Sequence, residues 1–322
     1  MHSFGMVKDD CSTDNVYLTG GIINAIGNVG VSCFLLISGY FGVKFKVDKF
    51  IYLIFITTLY TVFSSIICQS QIVDIIKSFI VIPIYGNWFI SCYLILMLVS
   101  PFIEKLIESI SKTEFKILII ALFITLSFLP TVFVSYYHTV ITSGGKCLVY
   151  VIFLYFIGRY IGLYKKDWKY NNLSLIGCFL TLIMSVFLIN LLITNILNKE
   201  CRVLSMDCSP LILFSSITLL YIFKDLKFYS KSINFVAKSV LAVYLLDDLR
   251  PWVNSFVNLQ DHAKSSNLIL YLLSFSTIML ILSVVIDKTR QYIFGGIETA
   301  GIKKISVYIS NKMGKYFMER IN

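Results

Sequence analysis

The chain has 322 residues, of which 57% are hydrophobic and only 14% are charged, and its formal net charge is +10. Soluble domains carry about 25% charged residues, so this chain lacks the polar residues needed to cover a soluble globule. The composition excludes a soluble enzyme and is typical of a polytopic membrane protein. Nucleic-acid binding is not expected, because the basic residues lie between apolar segments and not along one face.

The apolar segments predict the fold. Residues 1–15, MHSFGMVKDDCSTDN, contain no apolar core of the signal-peptide kind. A hydrocarbon layer of about 30 Å needs about 20 apolar residues in a helix. Nine segments qualify, at approximately 20–41, 50–68, 87–103, 115–135, 146–164, 173–195, 209–223, 234–249 and 266–286. We therefore predict an all-α, polytopic transmembrane helix bundle, forming one membrane-embedded domain over residues 1–322. A basic amphipathic tail is expected at 295–322.

The distribution of Lys and Arg among the loops predicts the orientation. One set of alternate loops, together with the tail, holds 19 basic residues, and the other set holds 7. The richer set is expected to face the cytoplasm, which places the C-terminus there. An odd number of spans then puts the N-terminus outside, although no signal peptide precedes it. One further span before residue 1 would place the start of the chain in the cytoplasm, so no signal peptide would be needed, and it would bring the number of spans to ten.

The cysteines suggest no metal or redox motif, because none of the eight has C-x-x-C spacing. Cys33, Cys92 and Cys178 lie inside apolar segments and are expected to be small core residues. Cys201 and Cys208 share one loop, where a disulfide and two separate thiols are both compatible with the sequence.

Small and polar residues interrupt the first apolar segment. The stretch NVGVSCFLLISGYF (28–41) contains Gly30, Ser38 and Gly39, which suit close packing against a neighbouring helix. Ser38 is not expected to be a nucleophile, because a Gly-x-Ser-x-Gly elbow is missing and no His or acid lies near it in sequence.

Five stretches in chain order carry a resemblance to a known family. They are NVGVSCFLLISGYF (28–41), GNWFISCYLILMLVSPFIEKLI (86–107), YFIGRYIG (155–162), INFVAKSVLAVYLLDD (233–248) and VVIDKTRQYIF (284–294). Together they resemble the acyltransferase 3 family of integral-membrane O-acyltransferases, over nearly the whole chain. The resemblance implies ten helices and transfer of an acyl group, often acetyl, from cytoplasmic acyl-CoA to a hydroxyl. The acceptor would be an outward-facing polysaccharide or glycolipid of the cell envelope, and the location a bacterial-type cytoplasmic membrane.

The resemblance also implies the position of the catalytic base. The family's catalytic His lies near the outer end of the first helix, and His2 is the residue of this chain at that place. Without the resemblance, His2 would be interpreted as a frayed N-terminal residue. A His suits the role because its pKa lies near neutrality. Most of that first helix would then be missing, through a late start or a truncation. Activity of the chain as written is therefore expected to be low until it is extended upstream. His138 and His262 are interpreted as solvated loop residues.

Residues for the two substrates follow from the same resemblance. Trp88 and Tyr93 would line the acceptor cavity, although they would equally suit an interfacial aromatic belt. Asp247 and Asp248 stand where members often carry a His. They would orient the base or bind the acceptor hydroxyl, or simply lie in the aqueous interface.

Four basic residues are candidates for the phosphates of CoA: Lys44, Lys46, Lys49 and Arg159. The positive-inside bias alone would also explain them. Acyl-CoA would be a donor substrate; no permanently bound cofactor and no metal are expected.

Two other functions remain compatible with the sequence. A transporter or flippase for a lipid-linked glycan fits the composition, but the internal repeat found in many transporters is not evident. An inactive, truncated remnant would follow from the missing first helix.

Overall fold

The structure is a computed structural model that describes residues 14–68, 72–73, 75–76, 87–133, 142–165, 170–197, 202–226, 229–257 and 268–318. Within its helices, the side chains of residues 14–24, 248, 250, 255–257, 268–269 and 313–318 are left undescribed. The described residues are helical and include no strand, which confirms the all-α prediction.

The helices, in chain order, are α1 (Asp14–Phe41), α2 (Val47–Ile67), α3 (Trp88–Ser109), α4 (Lys112–Val132), α5 (Leu148–Tyr164), α6 (Asn172–Leu197), α7 (Pro210–Lys224), α8 (Lys231–Ala237), α9 (Val240–Leu245), α10 (Arg250–Val257) and α11 (Leu268–Met318). Among the residues that the structure describes, three short 3₁₀ turns occur at Ser143–Gly145, Val203–Ser205 and Leu246–Leu249.

Several helices have the length and apolar character of membrane spans. Within the described residues, six segments qualify: Val47–Ile67, Trp88–Ser109, Lys112–Val132, Asn172–Ile196, Val203–Lys224 and Leu270–Lys312. Two shorter apolar helices cover Ala25–Phe41 and Leu148–Tyr164. The chain is thus a multi-pass membrane protein, whereas the predicted count of nine spans stays a prediction.

The segment predicted as the eighth span, 234–249, is divided into short pieces. It contains the end of α8, the whole of α9 and the 3₁₀ turn Leu246–Leu249, and α10 follows at once. Pro251 lies in the first turn of α10, where its missing N–H would have no partner within the helix. Apolar composition alone could not show this division.

The last helix continues well beyond the predicted span. α11 includes 51 residues, about 76 Å at 1.5 Å per residue, whereas a bilayer core is about 30 Å thick. The region predicted as a separate basic tail, from residue 295, begins as a continuation of this helix. Its predicted cytoplasmic placement stays a prediction.

α4 contains a π-helical turn at Ile124–Phe128, shortly before Pro130. Proline cannot donate to the carbonyl four residues earlier, and a wider turn is one way in which a helix accommodates this. Ser127, within the wide turn, donates its hydroxyl to the Cys208 carbonyl at 2.7 Å. The other end of α4 is capped by Ser111 and Glu114, which bond each other's backbone N–H groups.

The described residues form two compact units. Unit 1 includes Tyr17–Lys44 and Phe102–Lys227, and unit 2 includes Phe45–Pro101 and Phe228–Asn322. One boundary between the units falls inside α3, after Pro101, and others follow Lys44 and Lys227. Each unit is described by itself below.

Unit 1 has an apolar core between α1, α6 and α7. Five fully or nearly fully buried residues form its centre: Ala25, Val29, Ile183, Val186 and Ile212.

Within unit 1, α1 and α5 approach each other through glycines. A Cβ added at Gly39, Gly158 or Gly162 would lie closer than 3.0 Å to a backbone carbonyl of the facing helix. Gly39 of the first span is therefore a close-packing point, as the sequence suggests, with α5 as the partner. Ser38 instead donates its hydroxyl to the Phe34 carbonyl of its own helix at 2.9 Å. Gly30 is an exception, because a Cβ there would meet nothing within 4 Å.

The cysteines follow the sequence prediction only in part. Cys33 is half-buried, but Cys178 is exposed on α6, so the prediction of a core position is wrong for Cys178. An exposed apolar position on a membrane-spanning helix can face lipid. Cys208 is buried and forms no disulfide, and Cys201 lies outside the described residues.

Candidate functional site

A carboxylate, a phenol and a guanidinium meet in unit 1. Arg159 donates from Nε to Glu104 Oε2 at 2.9 Å, and its Nη2 lies 2.6 Å from the same oxygen. Tyr155 donates its hydroxyl to Glu104 Oε1 at 2.5 Å. The Tyr155 oxygen in turn accepts the Val43 N–H at 3.0 Å. Both Glu104 oxygens are thus used, and this cluster of four residues is called the Glu104 cluster below.

The local fold explains how the Glu104 cluster forms. α1 ends at Phe41 and is followed by Gly42, whose φ of +74° is in the left-handed region that favours glycine. The chain then turns, and the Val43 N–H points to Tyr155 and not back into α1. A Cβ at Gly42 would lie 3.1 Å from Arg159 Nη1, so the glycine also leaves room for the guanidinium.

This arrangement qualifies the predicted role of Arg159 in binding CoA. The side chains of Arg159 and Glu104 are 22% and 21% exposed, respectively, so the pair is partly solvent-accessible. A phosphate that bound Arg159 would have to share it with the Glu104 carboxylate. CoA binding by Arg159 stays a prediction.

The three predicted CoA-binding lysines are all exposed. Lys44 lies at the end of the first segment of unit 1, and Lys46 and Lys49 lie at the start of α2 in unit 2. Lys46 occupies the N-cap position of α2. Lys49 lines a cavity of unit 2 together with Lys303 of α11.

The predicted acceptor-binding aromatics belong to one cluster in unit 2. Phe89 contacts Trp88 edge-on, with 5.9 Å between ring centroids, and is stacked on Tyr93 at 6.1 Å. The ring of Tyr244, in α9, meets Phe89 edge-on at 5.7 Å. The structure thus brings Trp88 and Tyr93 together through Phe89. Phe89 and Tyr244 were not among the predicted site residues.

The two predicted acids follow directly after this cluster in the chain. Asp247 and Asp248 lie in the 3₁₀ turn Leu246–Leu249, next to α9. Asp247 is half-buried, and the side chain of Asp248 lies outside the described residues. All three histidines (His2, His138 and His262) also lie outside them. The catalytic role of His2 therefore stays a prediction.

A second polar cluster, in unit 2, joins α2 to α11. Tyr60 donates its hydroxyl to Asp287 Oδ1 at 2.6 Å, and Arg290 bonds both groups at 2.9 Å. Arg290 Nη1 also pairs with Glu298, and Gln291 donates to Asp287 Oδ2 at 2.7 Å. We call these five residues the Arg290 cluster.

The Arg290 cluster is nearly closed to solvent. The Arg290 and Asp287 side chains are only 7% and 4% exposed. Charged groups within apolar segments are costly unless paired, and they often mark functional positions. The sequence contained one signal for this cluster. Asp287 and Arg290 are three residues apart at the end of an apolar segment, and that spacing puts both side chains on one helix face.

Three lysines form a positive patch in unit 1, outside the predicted site. Burial lowers the pKa of Lys165 below its ordinary value, and the positive charges of Lys112 and Lys116 lower it further. The Lys112 ammonium lies over the Tyr164 ring, 5.2 Å from its centroid. These lysines were not predicted to lie together, because they come from the start of α4 and the end of α5, which are distant in the sequence.

Comparison with known proteins gives the family. The family model described as "Acyltransferase domain" (Acyl_transf_3) matches residues 1–288. No curated protein and no solved structure gives a significant match. The matched region includes most of the chain and all five stretches of the resemblance except the end of the last one. The resemblance is thereby confirmed: the chain belongs to the acyltransferase 3 family and is a multi-pass membrane acyltransferase.

Proposed function

We propose that the protein transfers an acyl group, with acetyl as the first candidate, from acyl-CoA to a hydroxyl of a cell-envelope polysaccharide or glycolipid. The family match over residues 1–288 carries this proposal. The apolar helices support it, because acyl-CoA is cytoplasmic and an envelope glycan faces outward, so the catalyst must span the membrane.

The proposed reaction is a direct acyl transfer. A base removes the proton of the acceptor hydroxyl while its oxygen attacks the thioester carbonyl. The C–S bond then breaks, the ester forms, and CoA leaves as the thiol after it takes up the proton. We assign the base to His2.

The acceptor is proposed to bind at the aromatic cluster of unit 2. Trp88 and Tyr93 offer ring faces that can cover the apolar face of a sugar, and the tyrosine hydroxyl can bond a sugar hydroxyl. Asp247 and Asp248, in the turn after α9, would accept hydrogen bonds from the acceptor hydroxyls or orient the base.

The donor is proposed to bind through Lys44, Lys46, Lys49 and Arg159. Lysine and arginine are the usual partners of phosphate, and CoA carries several phosphate charges. Arg159 would bind from within the Glu104 cluster, whereas the exposed lysines can move toward the phosphates.

The function can be tested with the protein expressed from its whole gene and placed in lipid nanodiscs. Radiolabelled acetyl-CoA is supplied with a de-acylated envelope glycan, and label in the glycan is measured together with released CoA. We expect equal amounts of both. Movement of glycan across a vesicle membrane without CoA release would overturn the proposal and favour a transporter.

Two matched pairs of variants test the residue roles. His2→Ala should lower kcat by about a hundredfold or more, the usual effect of losing a general base, whereas His138→Ala should not. Trp88→Ala should raise the acceptor KM by about tenfold, in line with the loss of one well-packed aromatic contact, whereas Trp252→Ala should not. Equal transfer by His2→Ala and the unaltered protein would exclude His2 as the base.

A further inference from the structure

A groove runs along unit 2 between the start of α2 and the continuation of α11. Its polar part encloses about 510 Å³, and its charged lining residues are Asp48, Lys49, Glu298 and Lys303. Its apolar part encloses about 330 Å³, and its lining residues include Phe55, Leu59, Phe294, Ile297, Gly301 and Ile305. Glu298 and Ile302 line both parts, so the two form one groove with a polar and an apolar end.

The length of the groove matches one leaflet of a bilayer. Along α2, Leu59 lies ten residues after Lys49, about 15 Å at 1.5 Å per residue. Along α11, Phe294 lies nine residues before Lys303, about 14 Å by the same rise. Half of a hydrocarbon core of about 30 Å is about 15 Å. A lipid with its head group at the lysines would therefore extend its chains along the apolar part.

The charges of the polar part indicate which head group fits. Lys49 and Lys303 offer two ammonium groups, which suit a phosphate. The Glu298 carboxylate is already paired with Arg290, so Asp48 is the groove carboxylate left to attract a cation. A head group with a phosphate next to a primary ammonium matches this combination, because the ammonium has three N–H donors for a carboxylate.

The orientation predicted from the loop charges places this head group in the inner leaflet. Lys49 and Lys303 both belong to the set of loops and tail that is rich in Lys and Arg. The lipid chains would then lie beside Phe294 and Ile297, so the membrane-embedded part of α11 has to extend past residue 286, where the ninth span is predicted to end. α11 is one continuous helix over this region. The apolar lining is open to a ligand, since Phe294 and Ile297 are 51% and 74% exposed. A lipid lying in this groove would contact side chains of both α2 and α11, whereas a lipid on a flat helix face contacts one helix.

We propose that this groove binds one phospholipid of the phosphatidylethanolamine type. Lys49 and Lys303 hold its phosphate, Asp48 holds its ammonium, and one chain lies between Leu59 on α2 and Phe294 on α11. The bound lipid is neither donor nor acceptor, but Lys49 is also a proposed contact of the donor, so the lipid phosphate and the CoA phosphates would compete for it. The experiments below therefore measure bound lipid and include no transfer assay.

Gly301 allows the groove to be closed without a clash inside the protein. A Cβ at Gly301 would meet nothing within 4 Å, and the same is true of Gly295, which does not line the groove. Both glycines lie in α11, where replacing glycine favours the helix. Gly301→Leu should therefore fill the apolar part, and Gly295→Leu is its matched control.

The first experiment measures bound lipid by native mass spectrometry after purification in mild detergent. We expect one phosphatidylethanolamine on the unaltered protein and on Gly295→Leu. Gly301→Leu should lower the bound fraction at least tenfold. Equal lipid on Gly301→Leu and Gly295→Leu would overturn the proposal, as would acyl-CoA or a second copy of the chain in place of the lipid.

The second experiment tests the head group by exchange in nanodiscs that contain phosphatidylethanolamine and phosphatidylglycerol. Lys303→Ala should weaken the binding of both lipids, whereas Lys304→Ala, at the neighbouring exposed position, should not. Asp48→Asn should remove the preference for phosphatidylethanolamine, with a change of about tenfold in the ratio of bound lipids. A preference for phosphatidylglycerol in the unaltered protein would overturn the head-group assignment.

Discussion

Gly39 shows how a single missing side chain sets the contact between α1 and α5. A Cβ at this position would meet the carbonyl group of Tyr155 and the N–H of Arg159, which are backbone atoms that cannot rotate away. Gly39 therefore lets α5 lie close enough for the Val43 N–H to reach Tyr155.

Gly39→Ala is expected to destabilise the protein by about 1–3 kcal/mol, the usual cost of overpacking. Gly30→Ala, in the same helix, should be neutral or stabilise by up to about 1 kcal/mol, because its Cβ enters open space and alanine favours the helix. Thermal unfolding in detergent measures both. A Gly39→Ala protein as stable as the Gly30→Ala protein would contradict the close contact.

The Glu104–Arg159 pair is expected to act as a unit. Within the described part of the chain, Arg159→Gln leaves the carboxylate with only the Tyr155 hydroxyl, and Glu104→Gln leaves the guanidinium without an anion. Because the pair is partly exposed, each change should cost about 1–3 kcal/mol, less than a fully buried pair would lose.

A double-mutant cycle, measured as free energies of unfolding, distinguishes the interaction between Glu104 and Arg159 from the loss of packing that each single change causes. The Glu104→Gln/Arg159→Gln protein should lose less stability than the sum of the two single changes, by about 1 kcal/mol or more. Strictly additive losses would show that the pair contributes nothing beyond its separate contacts. Arg159→Lys should be an intermediate case, because an ammonium cannot reproduce the planar fork of donors.

The lowered pKa of Lys165 predicts its chemical reactivity. Burial and the charges of Lys112 and Lys116 favour the neutral amine, which is the form that reacts with amine-specific reagents. The neutral fraction of Lys165 therefore rises at a lower pH than for an ordinary lysine.

Lys112→Gln removes one of these charges, so the pKa of Lys165 should rise and its labelling at mildly alkaline pH should slow. Lys231→Gln, a change in unit 2, should leave the labelling of Lys165 unchanged. The rate is followed by mass spectrometry of the labelled peptide. Faster labelling of Lys165 after Lys112→Gln would contradict the sign of the shift.

At the scale of elements, the Arg290 cluster holds α2 and α11 together within unit 2. Arg290 is surrounded by the hydroxyl of Tyr60 and the carboxylates of Asp287 and Glu298. Removing Arg290 would leave both carboxylates without the cation that they share, in a nearly closed site.

Arg290→Met is therefore expected to destabilise the protein by about 3–5 kcal/mol, the cost of breaking a buried ion pair from one side. Lys304→Met, on the exposed face of the same helix, should change stability by less than about 0.5 kcal/mol. Adding Asp287→Asn to Arg290→Met should recover part of the loss. An Arg290→Met protein as stable as Lys304→Met would contradict a structural role for the cluster.

The elements also show what the sequence can predict. Most predicted spans match observed helices, because the thickness of the bilayer fixes how long an apolar helix must be. The division of segment 234–249 into short helices was not predicted, because composition does not show where a helix is interrupted. The predicted span ended before Asp287 and Arg290, because charged residues usually mark the end of a span. In the structure α11 continues through both, since Tyr60 bonds Asp287 and Glu298 pairs with Arg290. No local sequence pattern indicates these partners.

The candidate site is less predictable for a related reason. Trp88 and Tyr93 could be named from the resemblance, since they lie on one helix and in one motif. The pairing of Glu104 with Arg159 joins residues 55 positions apart in the chain. A single sequence without an alignment contains no signal for such a contact, so Glu104 was not predicted although Arg159 was a candidate.

At the scale of the whole molecule, the orientation in the membrane decides whether the proposed reaction is possible. Lys46 and Lys312 belong to the loops and tail predicted to face the cytoplasm, and Lys146 belongs to the opposite set. All three side chains are exposed in the structure. Acyl-CoA is available only inside the cell, so the proposed donor lysines must lie on that side.

The orientation can be tested by labelling single cysteines, placed one at a time in a protein whose own cysteines are replaced. A membrane-impermeant maleimide should label Lys146→Cys in intact cells, because that position is predicted to face outward. Lys46→Cys and Lys312→Cys should be labelled only in inverted membrane vesicles or after the membrane is opened. Labelling of Lys312→Cys in intact cells would place the C-terminus outside, and it would separate the proposed CoA-binding lysines from the only compartment that supplies CoA.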